Sequence, residues 1–427
     1  MISSIDAKSL IEVGTHPLKT IFISLEDSVG YALAEDLYAP IDFPNFDQSA
    51  MDGYGICLEA SNILDKYHVT GEEQTGSIDL TPTIQAGEAV RIFTGAKIPF
   101  GVNTVIQQEW VEKSGNDIKI MPDVEIKNGM NIRPKGSQTK KGDFVLKKGT
   151  AIHPATASLI AGLGIDKINV FKKPEIIILN TGKELVKPGL SIQRGQIYES
   201  NSFALNQALL ELHILPKEIA WVDDNKNELI EKMNNAIHSC NLLLITGGVS
   251  IGDYDYVIEA LEANGVQQSF HKIKQKPGKP LYFGSIDHTI VFGLPGNPAS
   301  VMTCFYQYVY PCIKKMMGFN QTTLRQLTVP CLNQYEKKAG FTHFLIGKIH
   351  THGVEILNHQ ESYKMNAYAI ADSRQPGCGA PLARPGAKFC TRCGQAQDVV
   401  PMGADVLDVP QPRCGPYGQG RPAHRCH

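Results

Sequence analysis

Four runs of near-continuous apolar residues, "EIIILNTG", "EIAWV", "NLLLITGG" and "HTIVFGLPG", fall within residues 174–320, and each is followed by text of helical periodicity. Strands without polar alternation are buried on both faces, so this pattern predicts a parallel sheet covered by helices on each side. The pattern elsewhere differs. From about 56 to 150 the segments "AVRIFTGAKIP", "NTVIQQEWVEK" and "NDIKIMP" read as short strands parted by Gly, Pro and Asn. The first 40 residues read as mostly helical and polar, with "SLEDSVGYALAEDLY" carrying apolar residues at helical spacing. "APIDFPNFDQSAMDGYGI" is a loop. "HPATASLIAGLGI" is a short helix with Pro154 near its start and Gly164 after it. "ASVMTCFYQYVYPCIKKMMGF" is a helix apolar enough to be largely buried, with Asn297 as N-cap and Pro298 in the first turn. "QLTVPCL", "THFLIGKIH" and "GVEILNH" read as strands of a small sheet or incomplete barrel.

These patterns divide the chain. Residues 1–45 with 140–173 form an N-terminal helical and linker domain, 46–139 a β-rich domain, and 174–322 a doubly wound parallel α/β domain. Residues 323–373 form an incomplete, truncated β-barrel-like domain. The fold class is therefore multidomain α/β. Composition changes after Ser373: lysine gives way to arginine, Pro and Gly become frequent, and cysteines crowd together. Residues 374–427 are a separate Cys/Pro/Gly-rich tail. The scattered Cys57, Cys240, Cys304, Cys312 and Cys331 suit free thiols in a reducing compartment. A hydrophobic fraction of 42%, a charged fraction of 20% and a net charge of −2 suit a globular protein that binds neither nucleic acid nor membrane. With no signal-peptide layout and no membrane-length apolar run, a cytoplasmic location is expected.

In a parallel sheet, ligands bind beyond the carboxyl ends of the strands. Three loops there suit an anion. Residues 246–250, with Thr246, Gly247, Gly248 and Ser250, offer backbone N–H groups and two hydroxyls. The turn Pro295-Gly296-Asn297 opens a helix and presents its positive dipole end. "KQKPGKP" offers Lys274, Lys276 and Lys279 as point charges on a Pro-restricted backbone. Singly, a glycine turn after a strand is more often structural, and a lysine beside prolines is usually solvated. Carboxylates stand close by: Asp253, Asp255 and Glu184 in strand-to-helix loops, and Asp52 among small residues in "SAMDGYG". A divalent cation such as Mg²⁺, which takes one or two carboxylates with phosphate oxygens, reconciles acidic and anion-binding groups. Helix capping or a solvated face would explain any one of these carboxylates equally well. Neither a nucleophilic triad nor a dinucleotide fingerprint can be read out.

Eight segments, "DFPNFDQSAMDGYGI", "RIFTGAKIP", "NIRPKG", "TGKEL", "GQIYESN", "ITGGVSIGDYDY", "KPGKP" and "GLPGNPAS", occur in the order found in the molybdopterin molybdotransferase family. The resemblance spans about residues 5–373. That family includes the molybdenum-inserting E domain of gephyrin. The resemblance implies that adenylylated molybdopterin and molybdate bind with Mg²⁺. The dithiolene sulfurs then take the molybdenum, and AMP leaves. It implies a homodimer with active sites shared between subunits, and the molybdopterin adenylyltransferase as a further partner. In that scheme Thr246, Gly247, Gly248, Ser250, Pro295, Gly296 and Asn297 hold phosphates. Asp255 and Glu184 are acidic site residues, and Lys276 and Lys279 bind molybdate or phosphate. Asp52, Thr94 and Arg133 come from the partner subunit. Mg²⁺ would be held by Asp255, Asp52 and Glu184. Relatives of the same fold that act as molybdopterin-binding scaffolds or regulators, or that insert tungstate, are the alternative.

The chain departs from the family in two places. Gln138 stands where an acidic residue is usual, which predicts altered metal affinity. The tail replaces the closing strands of the barrel and is similar to a degenerate zinc ribbon, with Cys378, Cys390 and Cys393 as candidate Zn²⁺ ligands. A disordered tail and a zinc-binding appendage are both open readings.

Overall fold

The computed structural model describes residues 1–59, 63–78, 82–222, 225–249, 256–336 and 339–357. Its largest sheet has six strands, in the order Glu218–Val222, Ile176–Thr181, Leu242–Thr246, Thr289–Leu294, Tyr282–Ile286 and Gln267–His271. The first four are the apolar runs of the sequence, and they pair in parallel. The last two were not expected from the sequence. They add antiparallel pairs, so the sheet is mixed rather than purely parallel.

Successive side chains of the central strands point to opposite faces. Ile176, Ile178, Leu242, Leu244 and Phe292 pack under the helix Asn201–Leu210 and the helical stretch that starts at Pro298. Ile177, Leu179, Leu243, Ile245 and Val291 pack under Lys226–Ile237 and Tyr256–Ala263. Burying each such side chain contributes roughly 1.5–3 kcal/mol, so these two layers hold the sheet flat against its helices. Ser3 and Asp6 form a capping box that starts helix Ser4–Gly14, and its Ala7 and Ile11 join the first of the two layers.

The helical stretch after Asn297 is not uniform. It runs as α-helix Pro298–Cys304, a π-helical turn Phe305–Val309, and α-helix Tyr310–Met316. Pro311 lacks the N–H that a regular helix would use there, and a local change of hydrogen-bond register accompanies it.

The β-rich unit is a second six-stranded sheet, ordered Thr104–Gln107, Gly53–Ile56, Glu88–Ile92, Tyr67–Glu73, Asp117–Ile120 and Val111–Ser114. Before and after it, Thr20–Ser24 pairs antiparallel with Lys167–Phe171, and Leu37–Tyr38 with Phe144–Leu146. Leu33, Ile152, Ile160, Ile168 and Val170 form the core between these two stretches of chain.

Three local expectations are corrected. "APIDFPNFDQSAMDGYGI" is not all loop: Gln48–Ser49 pairs with Ile132–Arg133, and Gly53–Ile56 is a strand inside the second six-stranded sheet. "SLEDSVGYALAEDLY" is not a helix: it holds the end of a strand, the 3-10 turn Leu25–Asp27 and isolated bridges at Ala32 and Leu33. Gly30, at φ +87°, breaks any helix there, and the His213 ring fills the space a Cβ would need. "QLTVPCL" is not a strand either. Pro330 has no N–H, and only a bridge from Cys331 to Val354 forms. Further on, Gly347–His350 and Gly353–Ile356 form a hairpin, and Thr342–His343 pairs in parallel with Gln275–Lys276. The remainder of the expected C-terminal domain, residues 358–373, and the whole tail with Cys378, Cys390 and Cys393 lie outside the described residues.

Gly53 begins the strand that follows Asp52, and a Cβ there would stand 1.9 Å from the carbonyl oxygen of Ile106. That neighbour is backbone, so relief requires moving a paired strand. Gly53→Ala is expected to destabilise the β-rich unit by about 1–3 kcal/mol, since overpacking against a fixed strand has that scale. Thermal unfolding followed by circular dichroism checks this, and an unchanged midpoint would show that the strand pair yields freely.

Candidate functional site

The carboxyl ends of the three central parallel strands bring their turns to one edge. The Leu242–Thr246 strand runs into Gly247 and Gly248, at φ +85° and +61°, a conformation that favours glycine. Their missing side chains also matter for space. A Cβ on Gly247 would fall 2.5 Å from the Thr181 carbonyl oxygen, and one on Gly248 would fall 2.7 Å from Val257. A Cβ built on Gly296 would stand 3.9 Å from Gly247 Cα, so the two glycine turns sit against each other. Asn297 caps the next helix, its Oδ1 accepting the Ser300 N–H at 3.2 Å.

Not every group expected to face an anion does so. The Thr246 hydroxyl is buried and donates to Asn180 Oδ1 at 2.7 Å, and the Gly247 N–H donates to the Leu294 carbonyl at 3.3 Å. Ser250, Asp253 and Asp255 lie outside the described residues.

Sequence reasoning missed three residues that shape this edge. Asn201 Nδ2 donates to the Gly296 carbonyl at 2.9 Å, tying the start of one helix to the Pro295-Gly296-Asn297 turn. Glu199, 2% exposed, holds that helix start by accepting the Ser202 N–H and hydroxyl, both at 2.6 Å. Asn180 sits in a strand whose other residues are nearly all apolar. Among the described residues, Asn180 Nδ2 and Asn201 Oδ1 are buried without a hydrogen-bond partner. Each such orphan costs about 1–3 kcal/mol unless a ligand or water satisfies it. A polar residue at the end of a buried apolar run, as in "IIILNTG", is the signal that would have singled out Asn180.

Lys276 ends the strand Gln275–Lys276 and Lys279 stands on the loop after it, and both are exposed. The Lys279 carbonyl accepts the Ile273 N–H at 2.9 Å, and the Lys276 carbonyl accepts the Phe344 N–H at 2.8 Å. Glu184 is exposed, and its carboxylate folds back over Gly182, lying 2.9 Å from where a Cβ would be.

The other expected residues gather on the β-rich unit. Asp52 Oδ1 accepts both the backbone N–H and the hydroxyl of Thr94, each at 2.7 Å. These two bonds hold its carboxyl below the usual carboxylate range, with the Arg91 guanidinium adding to the effect. Arg91 is itself fixed: it donates to the Gly53 carbonyl at 3.1 Å and to Gln108 Oε1 at 2.6 Å, and lies over the Tyr54 and Phe93 rings. Arg133 joins this group through strand pairing, Ile132 with Ser49 and Arg133 with Gln48, while the Gly95 N–H donates to the Ser49 carbonyl at 2.8 Å. Gln138 is exposed nearby, its N–H bonded to the Phe43 carbonyl at 3.0 Å. Of the expected residues, Thr246, Gly247, Gly248, Pro295, Gly296 and Asn297 thus meet at one edge of the mixed sheet, and Asp52, Thr94 and Arg133 gather on the β-rich unit, while Lys276 stands in a separate two-stranded pairing with Thr342–His343.

A carboxylate held ionised is a hard oxygen donor, and Asp52 suits Mg²⁺, which takes few protein ligands and completes its shell with phosphate and water. Among the described residues, no group of three or more His, Cys, Asp or Glu side chains is placed to hold a metal by itself. No helix among them is long and apolar enough to cross a membrane.

Comparison with known proteins identifies the family of the two units. The MoeA N-terminal region (domain I and II) matches residues 2–164, and the probable molybdopterin binding domain matches residues 177–315. Molybdopterin molybdenumtransferase of Haemophilus influenzae is 36% identical over 312 residues, covering 73% of this chain and 76% of that protein. The enzyme of the same name from Staphylococcus epidermidis is 32% identical over 336 residues, covering 78% of this chain and 80% of the relative. Among solved structures, the molybdopterin biosynthesis moeA protein of Pyrococcus horikoshii OT3 aligns with a TM-score of 0.70 at 28% identity. That alignment covers 84% of this chain and 90% of that one.

The Asp52–Thr94 contact has a measurable signature. A depressed folded-state pKa means that the contact stabilises the fold above the ordinary aspartate range, and that this contribution is lost as pH falls through the folded value. Thr94→Val removes the hydroxyl bond and leaves the backbone bond, so the Asp52 pKa should rise part of the way to its ordinary value. Carboxyl ¹³C NMR titration reads this directly, and an unmoved titration would mean that the hydroxyl contributes nothing.

Proposed function

The chain belongs to the molybdopterin molybdenumtransferase family, and from that membership we propose how its two clusters work. It is a transferase of molybdenum cofactor biosynthesis that inserts molybdenum into molybdopterin. In the proposed reaction, adenylylated molybdopterin and molybdate bind together. The two dithiolene sulfurs of the pterin take the molybdenum, and AMP leaves.

The observation that carries this reading is the abutment of the Gly247-Gly248 and Gly296-Asn297 turns at one sheet edge. Close backbone approach and a helix start suit the phosphate groups of the substrate. Thr246, Gly247, Gly248, Ser250, Pro295, Gly296 and Asn297 would line this cradle. The buried, unpartnered Asn180 Nδ2 and Asn201 Oδ1 fit a polar ligand beside it. Lys276 and Lys279 supply positive charge for molybdate or phosphate. Asp255 and Glu184 are the acidic groups of the same unit. Asp52, Thr94 and Arg133 would complete the site from the partner subunit of a homodimer. Mg²⁺, held by Asp52 with Asp255 and Glu184, would neutralise the charge that develops on the leaving phosphate. The supply of adenylylated substrate makes a molybdopterin adenylyltransferase the natural partner, and a cytoplasmic setting suits both.

The test is incubation with adenylylated molybdopterin, Mg²⁺ and molybdate, following AMP. Release that depends on molybdate is expected, whereas binding without turnover would mark a scaffold. Lys279→Ala should raise the molybdate concentration needed for half-maximal rate more than it lowers the limiting rate. That effect should shrink with salt, because a lysine point charge acts mainly through screened attraction. Equal molybdate dependence in both proteins would refute the role of Lys279.

A further inference from the structure

The loop that carries Lys276 and Lys279 is wrapped around a side chain with no role in the site as described so far. Gln275 is 1% exposed. Its Nε2 donates to the carbonyls of Pro277 and Gly278, both at 3.0 Å, and stands 3.6 Å from Cys304 Sγ. Its Oε1 accepts the hydroxyl of Tyr308, another residue that is 1% exposed. Tyr308 belongs to the π-helical turn Phe305–Val309, where the Tyr310 N–H reaches back to the Phe305 carbonyl. Such turns reset which side chain faces a neighbour.

The fit is tight on the opposite side as well. Gly278 has φ +84°, and a Cβ there would fall 2.6 Å from Cys304 Sγ and 2.8 Å from Gln275 Nε2. One buried amide therefore draws two consecutive carbonyls inward, and the two lysines that flank them stand exposed. The backbone bonds at Lys276 and Lys279 fix the ends of the loop. Pro277 and Gly278, its tip, are held by Gln275.

We propose that Gln275, oriented by Tyr308, is a positioning residue that sets the spacing of Lys276 and Lys279 for a tetrahedral dianion such as molybdate. The inference rests on the assignment of these lysines to anion binding. Replacing Gln275 leaves both charges present, so long-range attraction persists. What is lost is the preorganised spacing, and the ordering that was built into the fold must then be supplied on binding.

Gln275→Leu, Tyr308→Phe and the double variant test this, with wild type alongside. For Gln275→Leu, the KM for molybdate should rise about tenfold while kcat stays within about twofold, the split expected when ground-state binding alone is weakened. Tyr308→Phe should move KM in the same direction by less. The double variant should be no worse than Gln275→Leu, because residues acting in series are not additive. Hydrogen exchange across residues 274–284 should quicken in every variant. Lower melting temperatures with unchanged KM and unchanged local exchange would reduce Gln275 to a structural part and overturn the proposal. Should Gln275→Leu fail to fold, Tyr308→Phe, which deletes one oxygen, decides by the same readouts. If wild type shows no dependence on molybdate, the lysine assignment itself fails. Exchange at 274–284 then reports separately whether Gln275 sets the loop.

Discussion

Parallel pairing of Ile176–Thr181, Leu242–Thr246 and Thr289–Leu294 is the constraint from which the rest of the site follows. Parallel strands end at the same edge, so the turns after them have no choice but to meet. The strands are parallel because both of their faces are apolar and both are covered by helices. Once the turns meet, space becomes the limit. Glycine at 247 and 296 lets backbone approach backbone, Gly248 leaves room for the Val257 side chain, Asn201 ties one helix start to the Gly296 carbonyl, and Asn297 caps the other. The antiparallel pair Tyr282–Ile286 and Gln267–His271 then extends the sheet, and the lysine loop lies between Gln267–His271 and Tyr282–Ile286 in the chain.

The group around Asp52 obeys a different logic. Asp52 is exposed, and its charge is secured by hydrogen bonds rather than by burial. Its position depends on Gly53, which allows two strands to close, and on the strand pairing that brings Thr94 and Arg133 alongside. The two groups of residues thus rest on units with separate hydrophobic cores.

Much of this was legible in the sequence, because the signals were local. The four apolar runs gave the core strands, and "GLPGNPAS" gave a helix start with Asn297 as its cap. The family motifs named Asp52, Thr94 and Arg133 together. What was not legible depends on contacts distant in sequence. Tyr282–Ile286 and Gln267–His271 are strands because an existing sheet edge offers them partners. "SLEDSVGYALAEDLY" has helical spacing, yet Gly30 breaks a helix and Ala32 and Leu33 bridge to Ala151 and Val170. The inward turn of the Thr246 hydroxyl follows from Asn180, which is 66 positions away in the chain. Gln275 shows the same limit: beside two lysines it reads as one more polar loop residue, and only Tyr308 and Cys304 reveal that it is buried.

Complementation tests the proposal that two frames from different subunits make one active site. Asp52→Asn and Asp255→Asn each disable a different frame, and each homodimer should release little AMP. If the site is shared, random mixing gives mixed dimers in which one of two sites has both frames intact. Molybdate-dependent AMP release should then recover to about a quarter of the unmutated rate. No recovery, in mixtures shown to contain mixed dimers, would mean that both frames serve one site within a single chain, and the proposed sharing between subunits would be wrong.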